Sequence, residues 1–561
     1  MNIKEFTKSL LNLSTPKMLK DWIDALMNKV EELEYDKKIL AEKISKLEAI
    51  NRNLQGLPVK PVFKPIDKTS ELNDNEDAND DDDDPKNITR KRRKAAAKKK
   101  RRKKKEIKID ITRRIKVGSN DLDATFEYKG TRKVIVQDIL FQRNNIQFEL
   151  EKYYSKEKNK TVEADLPKGY QGGYFGPNII AFIKCSYYEG DVTIKKIFKI
   201  LDSIGIKISR RQINRIINDR PDELLKEMED ARVAAIEKKG YQQIDDTGAK
   251  ILGIESAYTT VTCNPSFTSL YTSLFKNRSN AVMALAGGNK NPLYKMNQHA
   301  ISVAFLSLKS LKIQLIMQKW QGEHVYTEKE ITQFFNHEDF LKLKPPILRD
   351  IKTAMLVGAF YDGHLGVTGK ALVSDDAPQF NNIYDDHVLC WYHEMRHYKE
   401  LFPVFKEHQI QLKLFFTEIK MMYRIFKKWC QTRNDDLRNY IFKWFNEYFS
   451  KKTGYRLLDE RKKASFNKME KLLAPLWTQA KVPLENNESE RDLRGRVIKR
   501  KISLFDRTWA GVRARDLYIS LKQTCRKNGV SFYQYLLDRV CGYGKIPKLS
   551  EIILRTCPKV S

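Results

Sequence analysis

Acidic residues follow two short runs of the chain that have the composition of β-strands. Asp245 and Asp246 come after YQQI, and Asp375 and Asp376 come after ALVS. An apolar strand that ends in a carboxylate places that group at the edge of a sheet, where α/β proteins commonly bind ligands and metals. The four carboxylates are therefore candidates for metal-assisted chemistry. For any one of them, the structural alternative is the capping of a turn.

A fifth acid, Glu490, lies in a strongly basic segment that is predicted to form a helix starting near Asn486 or Asn487. The cations that follow it are Arg491, Arg494, Arg496, Lys499, Arg500 and Lys501. Mg²⁺ prefers hard oxygen ligands, and a few carboxylates can hold two ions that activate a nucleophile and stabilise a leaving oxygen. The cations would then hold DNA phosphates. The structural alternative is a set of ion pairs along one helix.

The charge of the chain favours a polyanionic partner. Its 561 residues carry a net charge of +32, and residues 90–105 contain 13 Lys or Arg, so most of the charge lies elsewhere. No uncharged apolar run is long enough to cross a bilayer, which excludes a transmembrane protein. Seven scattered cysteines without a CxxC pair favour reduced thiols, and we expect an intracellular protein without a secretory signal.

Residues 1–57 are predicted to form a leucine-zipper coiled coil. The heptad d positions are Leu19, Leu26, Leu33, Leu40, Leu47 and Leu54, and the a positions are Ile23, Val30, Lys37, Ile44 and Asn51. Branched residues at a with Leu at d favour a parallel dimer, so we expect a homodimer through residues 19–54. The alternative is one amphipathic helix packed on its own protein. Residues 58–109, an acidic block followed by the basic run, are predicted to be a disordered linker.

Two small modules are predicted after the linker. Residues 110–185 combine β-like runs at 134–139 and 146–150 with a Gly/Pro-rich stretch, which predicts a small α+β module. Residues 186–235 have the pattern of a helix-turn-helix with a turn at Gly205 and a second helix capped by Ser209. The residues placed to meet a major groove are Arg210, Arg211 and Asn214. A helical pair without DNA contact is the alternative.

The rest of the chain alternates β-like and helical segments. β-like texture at 240–285 is followed by helical stretches, a further strand candidate at 369–380, and helical periodicity with many aromatic residues from 391 to 480. This order predicts an α/β domain over residues 236–510, in which a mixed sheet is flanked by helices.

Several segments resemble the insertion-sequence sixty-six family of transposases. IDDTG is similar to that family's Asp-Glu-Thr motif, LVSDDAPQF to its second-Asp motif, and HVLCWYHEMRHYKEL to its Cys-Trp-Ala-His-Ala-Arg-Arg segment. The most specific segment is NNESERDLRGRVIKRKISLF, which resembles Asn-Asn-x-x-Glu-Arg-x-x-Arg ending in Arg-Lys-x-x-Leu-Phe. Residues 518–540 resemble the family's C-terminal tail, so we expect a helical tail at 511–561, and residues 166–177 resemble its upstream module.

The resemblance implies an RNase H-like catalytic domain with a DDE triad. Carried over position by position, the triad is Asp245, Asp375 and Glu490, and these residues would bind Mg²⁺, with Mn²⁺ as a substitute. Asp246 stands where the family often has Glu, and Asp376 stands where the family usually has Gly. A triad shifted by one residue is therefore an open alternative.

Two departures from the family pattern concern an insertion and zinc. The first two triad positions are 130 residues apart, which implies an insertion around 285–365. Many family members carry a CxxC zinc-finger-like module, but no cysteine precedes Cys185 here.

A further cluster of possible metal ligands is formed by His387, Cys390, His393 and His397. Ligands on one short stretch cannot easily converge on one ion, so we expect no zinc. His393 and Arg396 match family positions, and we expect them to contact DNA or orient the site.

Three functions compete on these grounds. The leading hypothesis is a dimeric DDE transposase that cuts double-stranded DNA at the ends of an insertion sequence and joins the freed 3′-hydroxyl to target DNA, with accessory proteins of the element left open. The second is a catalytically inactive, transposase-derived DNA-binding protein. The third is a polybasic scaffold for RNA or chromatin that uses the zipper and residues 90–105. We expect no membrane partner, and a location in the cytoplasm with the nucleoid in a bacterium or in the nucleus of a eukaryote.

Overall fold

The computed structural model describes several stretches of the chain, which are residues 16–54, 109, 112, 141–171, 174–288 and 291–555. The basic run at 90–105 and the β-like run at 134–139 lie outside the described residues, as do nearly all of the predicted linker and the last residues of the predicted tail. The chain divides into two compact units, one of residues 1–41 with 143–561 and one of residues 42–142.

The strands of the described residues are β1 (Lys152–Ser155), β2 (Lys160–Glu163), β3 (Tyr241–Ile251), β4 (Ile254–Asn264), β5 (Phe267–Ser273), β6 (Leu293–Lys295), β7 (Val325–Thr327), β8 (Ala371–Ser374) and β9 (Asp386–Leu389). β1 and β2 form a hairpin, and β6 and β7 form another antiparallel pair. The hairpin lies just beyond the run predicted as a strand at 146–150, which forms no regular structure. Asn159, with φ 43°, supplies the left-handed turn residue that fixes where the hairpin reverses.

The helices are α1 (Pro16–Leu54), α2 (Pro177–Tyr188), α3 (Ile194–Ser203), α4 (Arg210–Asn218), α5 (Asp222–Lys239), α6 (Arg278–Leu285), α7 (Gln298–Leu308), α8 (Leu311–Lys319), α9 (Glu328–Phe334), α10 (Glu338–Leu341), α11 (Pro345–Tyr361), α12 (Trp391–Lys399), α13 (Lys406–Thr432), α14 (Asp435–Ser450), α15 (Arg456–Phe466), α16 (Met469–Leu472), α17 (Asn487–Ser503), α18 (Trp509–Lys527), α19 (Phe532–Cys541) and α20 (Leu549–Arg555). None of the helices in the described part of the chain combines the length and apolar character that crossing a bilayer requires.

The turn between α3 and α4 follows from two local features. Gly205 has φ +82°, a conformation that glycine adopts at little cost. The Ser209 side chain accepts a hydrogen bond from the Gln212 backbone N–H, and the Gln212 side chain accepts one from the Ser209 backbone N–H. This capping box fixes where α4 begins.

Five strands form one mixed sheet in the order β5-β4-β3-β8-β9. β3, β4 and β5 are antiparallel neighbours, whereas β8 runs parallel to β3 and β9 runs parallel to β8. The expectation of an α/β domain built on a mixed sheet with flanking helices is confirmed.

β3 continues beyond its two acids, contrary to the expectation that the strand ends there. β8 pairs with β3 only from Tyr241 to Gln243, but the antiparallel partner β4 pairs with β3 onward from Gln243 to Ile251. Asp245 therefore lies inside a strand, at the level where the parallel neighbour stops. The expectation is correct for β8, which ends at Ser374.

Helices cover both faces of the sheet. On one face, Ile244 and Leu372 pack with helices of the segment 278–361. On the other face, Val261 and Phe267 belong to a core that includes side chains of α2 to α5 and of α18 to α20. The predicted helix-turn-helix segment and the predicted C-terminal tail therefore share a core with the sheet.

Candidate active site

The parallel pairing of β3 with β8 brings two of the candidate acids to neighbouring positions. Gln243 pairs with Val373, so Asp245 and Asp375 each lie two residues beyond this pair. Neighbouring strands are about 4.8 Å apart, and residues two apart along a strand point to the same face. The register therefore sets the two carboxylates side by side where β8 ends.

Glu490 reaches these acids because the start of α17 is tied to β3. The buried Asn486 side chain donates a hydrogen bond of 2.8 Å from Nδ2 to the carbonyl of Ile244, the residue before Asp245. Its backbone N–H donates to Cys390 Sγ at 3.2 Å, next to the end of β9. The helix starts at Asn487, as predicted, and its first turn contains Glu490.

His393, on α12, lies between the second and third acids. Its Nε2 is 3.4 Å from Glu490 Oε1, and the imidazole is close enough to Asp375 to oppose the rise in the pKa of that carboxyl that burial causes. The Cys390 N–H before α12 donates to Ser374 O at 2.9 Å, which connects this helix to the strand that precedes Asp375. The expectation that His393 orients the site has a geometric basis in these contacts.

The carboxylates act on one another electrostatically. Burial, the neighbouring charges of Asp375 and Asp246, and that of Glu490 together raise the pKa of Asp245 to about 7, against the lowering effect of a hydrogen bond from the Asp246 N–H. Burial also raises the pKa of Asp375, although the Ala377 N–H donates to its Oδ1 at 3.2 Å. A cation at this place would relieve the repulsion.

The two acids next to the triad positions differ from them in their partners. Asp246 Oδ1 lies 2.8 Å from Lys276 Nζ, and Asp246 Oδ2 accepts a hydrogen bond of 2.7 Å from Gln379. Asp376 is paired with Lys468. The ion pairs of the described residues include no cation within 4.0 Å of Asp245 or Asp375. This difference favours Asp245 and Asp375 over a triad shifted by one residue.

The predicted DNA-contacting residues of α4 and α17 occupy different environments. Exposed side chains are those of Arg210, Arg211, Asn214, Arg491, Arg494 and Lys501. Arg500 is half-buried and donates a hydrogen bond to Gly248 O in β3.

Lys499 is not on this exposed surface. It is buried, its Nζ donates to the Tyr187 carbonyl and lies 3.6 Å from Asp191 Oδ1, and burial lowers its pKa to about 8. The helical period explains the difference, because Lys499 shares a face with the buried Asp492 and Arg496.

The four residues of the candidate zinc cluster have separate partners. His387 is buried, bonds through Nε2 to Ser374 Oγ at 2.8 Å, and has a pKa lowered to about 3 by burial. Cys390 accepts from Asn486, His393 faces Glu490, and His397 Nδ1 lies 3.7 Å from Glu400. Within the described residues, no group of three or more His, Cys, Asp and Glu side chains is arranged to hold a metal ion, which applies to these four residues and equally to Asp245, Asp375 and Glu490.

Comparison with known proteins supports the family resemblance. The family model described as "Transposase IS66 family" matches residues 172–263 and 355–514. The first segment contains Asp245 and the second contains Asp375 and Glu490. An uncharacterised protein, y4jO, from Sinorhizobium fredii (strain NBRC 101917 / NGR234) is 29% identical over 303 residues, which cover 54% of this chain and 91% of that protein. The chain is thus similar to the transposase IS66 family on both sides of an unmatched segment, and the resemblance inferred from its motifs is confirmed.

Proposed function

We propose that this chain is a DDE transposase with an RNase H-like catalytic domain, which cuts DNA at the ends of an insertion sequence and joins the freed 3′-hydroxyl to target DNA. The observation that carries the proposal is the convergence of Asp245, Asp375 and Glu490 from three separate elements of one mixed sheet domain. These are the acids of the three motifs that resemble the family's catalytic segments.

The chemistry of the donors suits a hard divalent cation. The side chains of the proposed triad offer only carboxylate oxygens, which Mg²⁺ and Mn²⁺ prefer, and burial together with the repulsion of neighbouring acids raises the pKa of Asp245. We propose that these three residues hold the metal once their side chains draw together around it, because they do not form a metal-binding group in the arrangement described here. When bound, the ions would activate the attacking water or 3′-hydroxyl and stabilise the leaving oxygen.

The protein's own residues would orient the site and hold the DNA. His393 contacts Glu490 and fixes one side of its carboxylate. Arg491, Arg494 and Lys501 are exposed on α17 beyond that acid, where they would bind phosphates. Both cleavage and joining are in-line phosphoryl transfers, so one site serves both without a covalent intermediate.

Recognition of the element ends is assigned to α4. Arg210, Arg211 and Asn214 are exposed in its first turns, as in the recognition helix of a helix-turn-helix. We further propose that two copies associate through the heptad face of α1, because a homodimer would bring two sites and two recognition helices to a pair of ends.

The test compares Asp245→Asn and Glu490→Gln with Asp246→Asn in a strand-transfer assay on terminal-repeat DNA with Mg²⁺ or Mn²⁺. We expect the two triad variants to lose about a hundredfold or more of the activity and to keep end binding. Asp246→Asn should keep most of the activity, since Asp246 already pairs with Lys276.

Cleavage retained in both triad variants would refute the assignment. If the unmodified chain binds ends but never cleaves with either metal, it is the inactive DNA-binding derivative.

A further inference from the structure

Helix α1 presents its apolar heptad residues to solvent. The side chains of Leu19, Ile23, Leu26, Val30, Leu33, Leu40, Ile44 and Leu47 are between 36% and 64% exposed. A row of this length and spacing is typical of the contact surface of a coiled coil, and its a and d residues favour a pair of parallel helices. The occupant that fits this face is α1 of a second copy of the chain.

The opposite face of α1 buries a carboxylate against the same chain. Glu31 is only 2% exposed. Its Oε1 accepts hydrogen bonds from the Val404 N–H at 2.7 Å and the Phe405 N–H at 3.0 Å, and lies 3.2 Å from His408 Nδ1. These donors stand at the start of α13, where backbone N–H groups lack helical partners and an anion is favoured.

Asn28 and Glu32 extend this contact by one turn of helix. The Asn28 side chain donates to Gly454 O at 3.0 Å and accepts from the Arg456 N–H at 2.8 Å. Glu32 Oε2 lies 3.5 Å from Arg456 Nη1. Two side chains of α1 therefore bond to backbone groups at two separate places, which fixes both the rotation and the position of the helix.

The two faces do not overlap. At about 100° per residue, positions 28, 31 and 35 lie roughly opposite positions 26, 30 and 33 around the helix axis. A coiled-coil partner on the heptad face would therefore leave the Glu31 contact in place.

We propose that Val404, Phe405, His408, Gly454 and Arg456 form an anchoring site for the zipper helix, which holds α1 through Glu31 and Asn28 while its heptad face binds a second copy. This rests on the dimer of the proposed function and goes beyond it. The anchored region, residues 391–484, lies between the second and third acids in sequence. Dimerisation would thus set the position of a segment that connects the two catalytic motifs.

The experiment uses the full chain and a matched pair of variants. Glu31→Ala and Glu34→Ala each remove one carboxylate and add the same alanine to the same helix, but Glu34 is exposed and its Oε1 is 3.4 Å from Lys37. We expect Glu31→Ala to speed hydrogen exchange of the Val404 and Phe405 amides at least tenfold and to remain dimeric in sedimentation. Glu34→Ala should change neither property.

A second variant, Leu26→Lys with Leu33→Lys, should sediment as a monomer and keep slow exchange at Val404 and Phe405. Unchanged exchange in Glu31→Ala, with the β4 amides as the internal check on folding, would overturn the anchoring site. So would a monomeric Glu31→Ala, or lost protection in the heptad variant, since the contact would then depend on the dimer. If Glu31→Ala also loses β4 protection, Asn28→Ala replaces it, read at Arg456. Neither measurement involves DNA, so failure here is distinct from failure of the transposase proposal.

Discussion

Two groups of buried charged residues in the sheet domain differ in whether their acids have cationic partners. Asp506 Oδ2 lies 2.8 Å from Arg496 Nη2, and its Oδ1 lies 2.7 Å from Arg515 Nη1, with all three residues at most 5% exposed. Asp245 and Asp375 lie at neighbouring positions, and burial is the main cause that raises the pKa of each carboxyl, with the charges of neighbouring acids adding to the rise at Asp245.

The contrast separates charge that supports the fold from charge that is available to a ligand. Asp506 also joins the sheet, because its backbone N–H donates to Lys250 O at 2.9 Å and its carbonyl accepts from Leu252. A buried acid with two cations has its partners inside the protein. Asp245 is buried with acidic neighbours, so a bound cation would stabilise its charged form, as the proposed metal site requires.

The largest effect on stability should come from removing the Asp506 carboxylate, which two buried arginines share. Asp506→Ala leaves Arg496 and Arg515 buried without their shared carboxylate, and we expect a loss of about 3 to 5 kcal/mol in the free energy of unfolding. Urea denaturation measures this. Glu460→Ala, which removes the exposed ion pair with Arg456, should lose far less. Equal losses of stability in the two variants would show that the buried ion pairs of Asp506 stabilise the fold no more than an exposed ion pair does.

Removing a charge from the acidic group should have the opposite sign. A carboxyl whose pKa rises from 3.8 to about 7 on folding binds its proton more tightly in the folded state, so the folded protein loses stability as the pH rises from about 4 to 7. Asp245→Asn in chelator should therefore raise the free energy of unfolding by about 2 to 4 kcal/mol at pH 8, and by little at pH 4.

The same denaturation experiment tests the link to metal. Adding Mg²⁺ or Mn²⁺ at pH 8 should stabilise the unmodified chain through binding to the folded state, and should stabilise Asp245→Asn much less. A destabilised Asp245→Asn at pH 8 in chelator would mean that this carboxylate has a stabilising partner of its own.

The smallest effect should separate two cations on α17. Arg491→Ala should lower the slope of log affinity for DNA against log salt by about one, with little change in stability. Lys499→Ala should leave that slope unchanged and destabilise the fold. The Lys499 ammonium donates to the Tyr187 carbonyl and lies 3.6 Å from the centroid of the Tyr187 ring, and the variant loses both contacts. Filter binding over a range of salt concentrations, with denaturation in parallel, distinguishes them. A reduced slope for Lys499→Ala would indicate that Lys499 contacts DNA.

Local pattern predicted the pieces of the site better than their surroundings. The strand before Asp375, the start of α17 and the cap at Ser209 depend on neighbours in sequence, and each was predictable. The continuation of β3 past Asp245 was not, because it depends on the length of its antiparallel partner.

The burial of Lys499 and Glu31 was missed for a similar reason. Lysine has a long apolar stem, so its presence in a basic run does not reveal which face of the helix packs inward. Glu31 occupies an ordinary polar position between heptad residues, and its partners at Val404 and Phe405 are far away in the sequence. Only the tertiary structure identifies such contacts.

The tie between Asn486 and Ile244 joins residues 242 positions apart in the chain. At about 5 to 20 residues per second, a ribosome needs roughly 10 to 50 seconds to make the intervening segment. During that interval a growing chain already carries Asp245 but has no helix to set Glu490 beside it. The group of Asp245, Asp375 and Glu490 can therefore assemble only after residue 490 has been made, so the proposed catalytic site would be completed later than the first strands of the sheet.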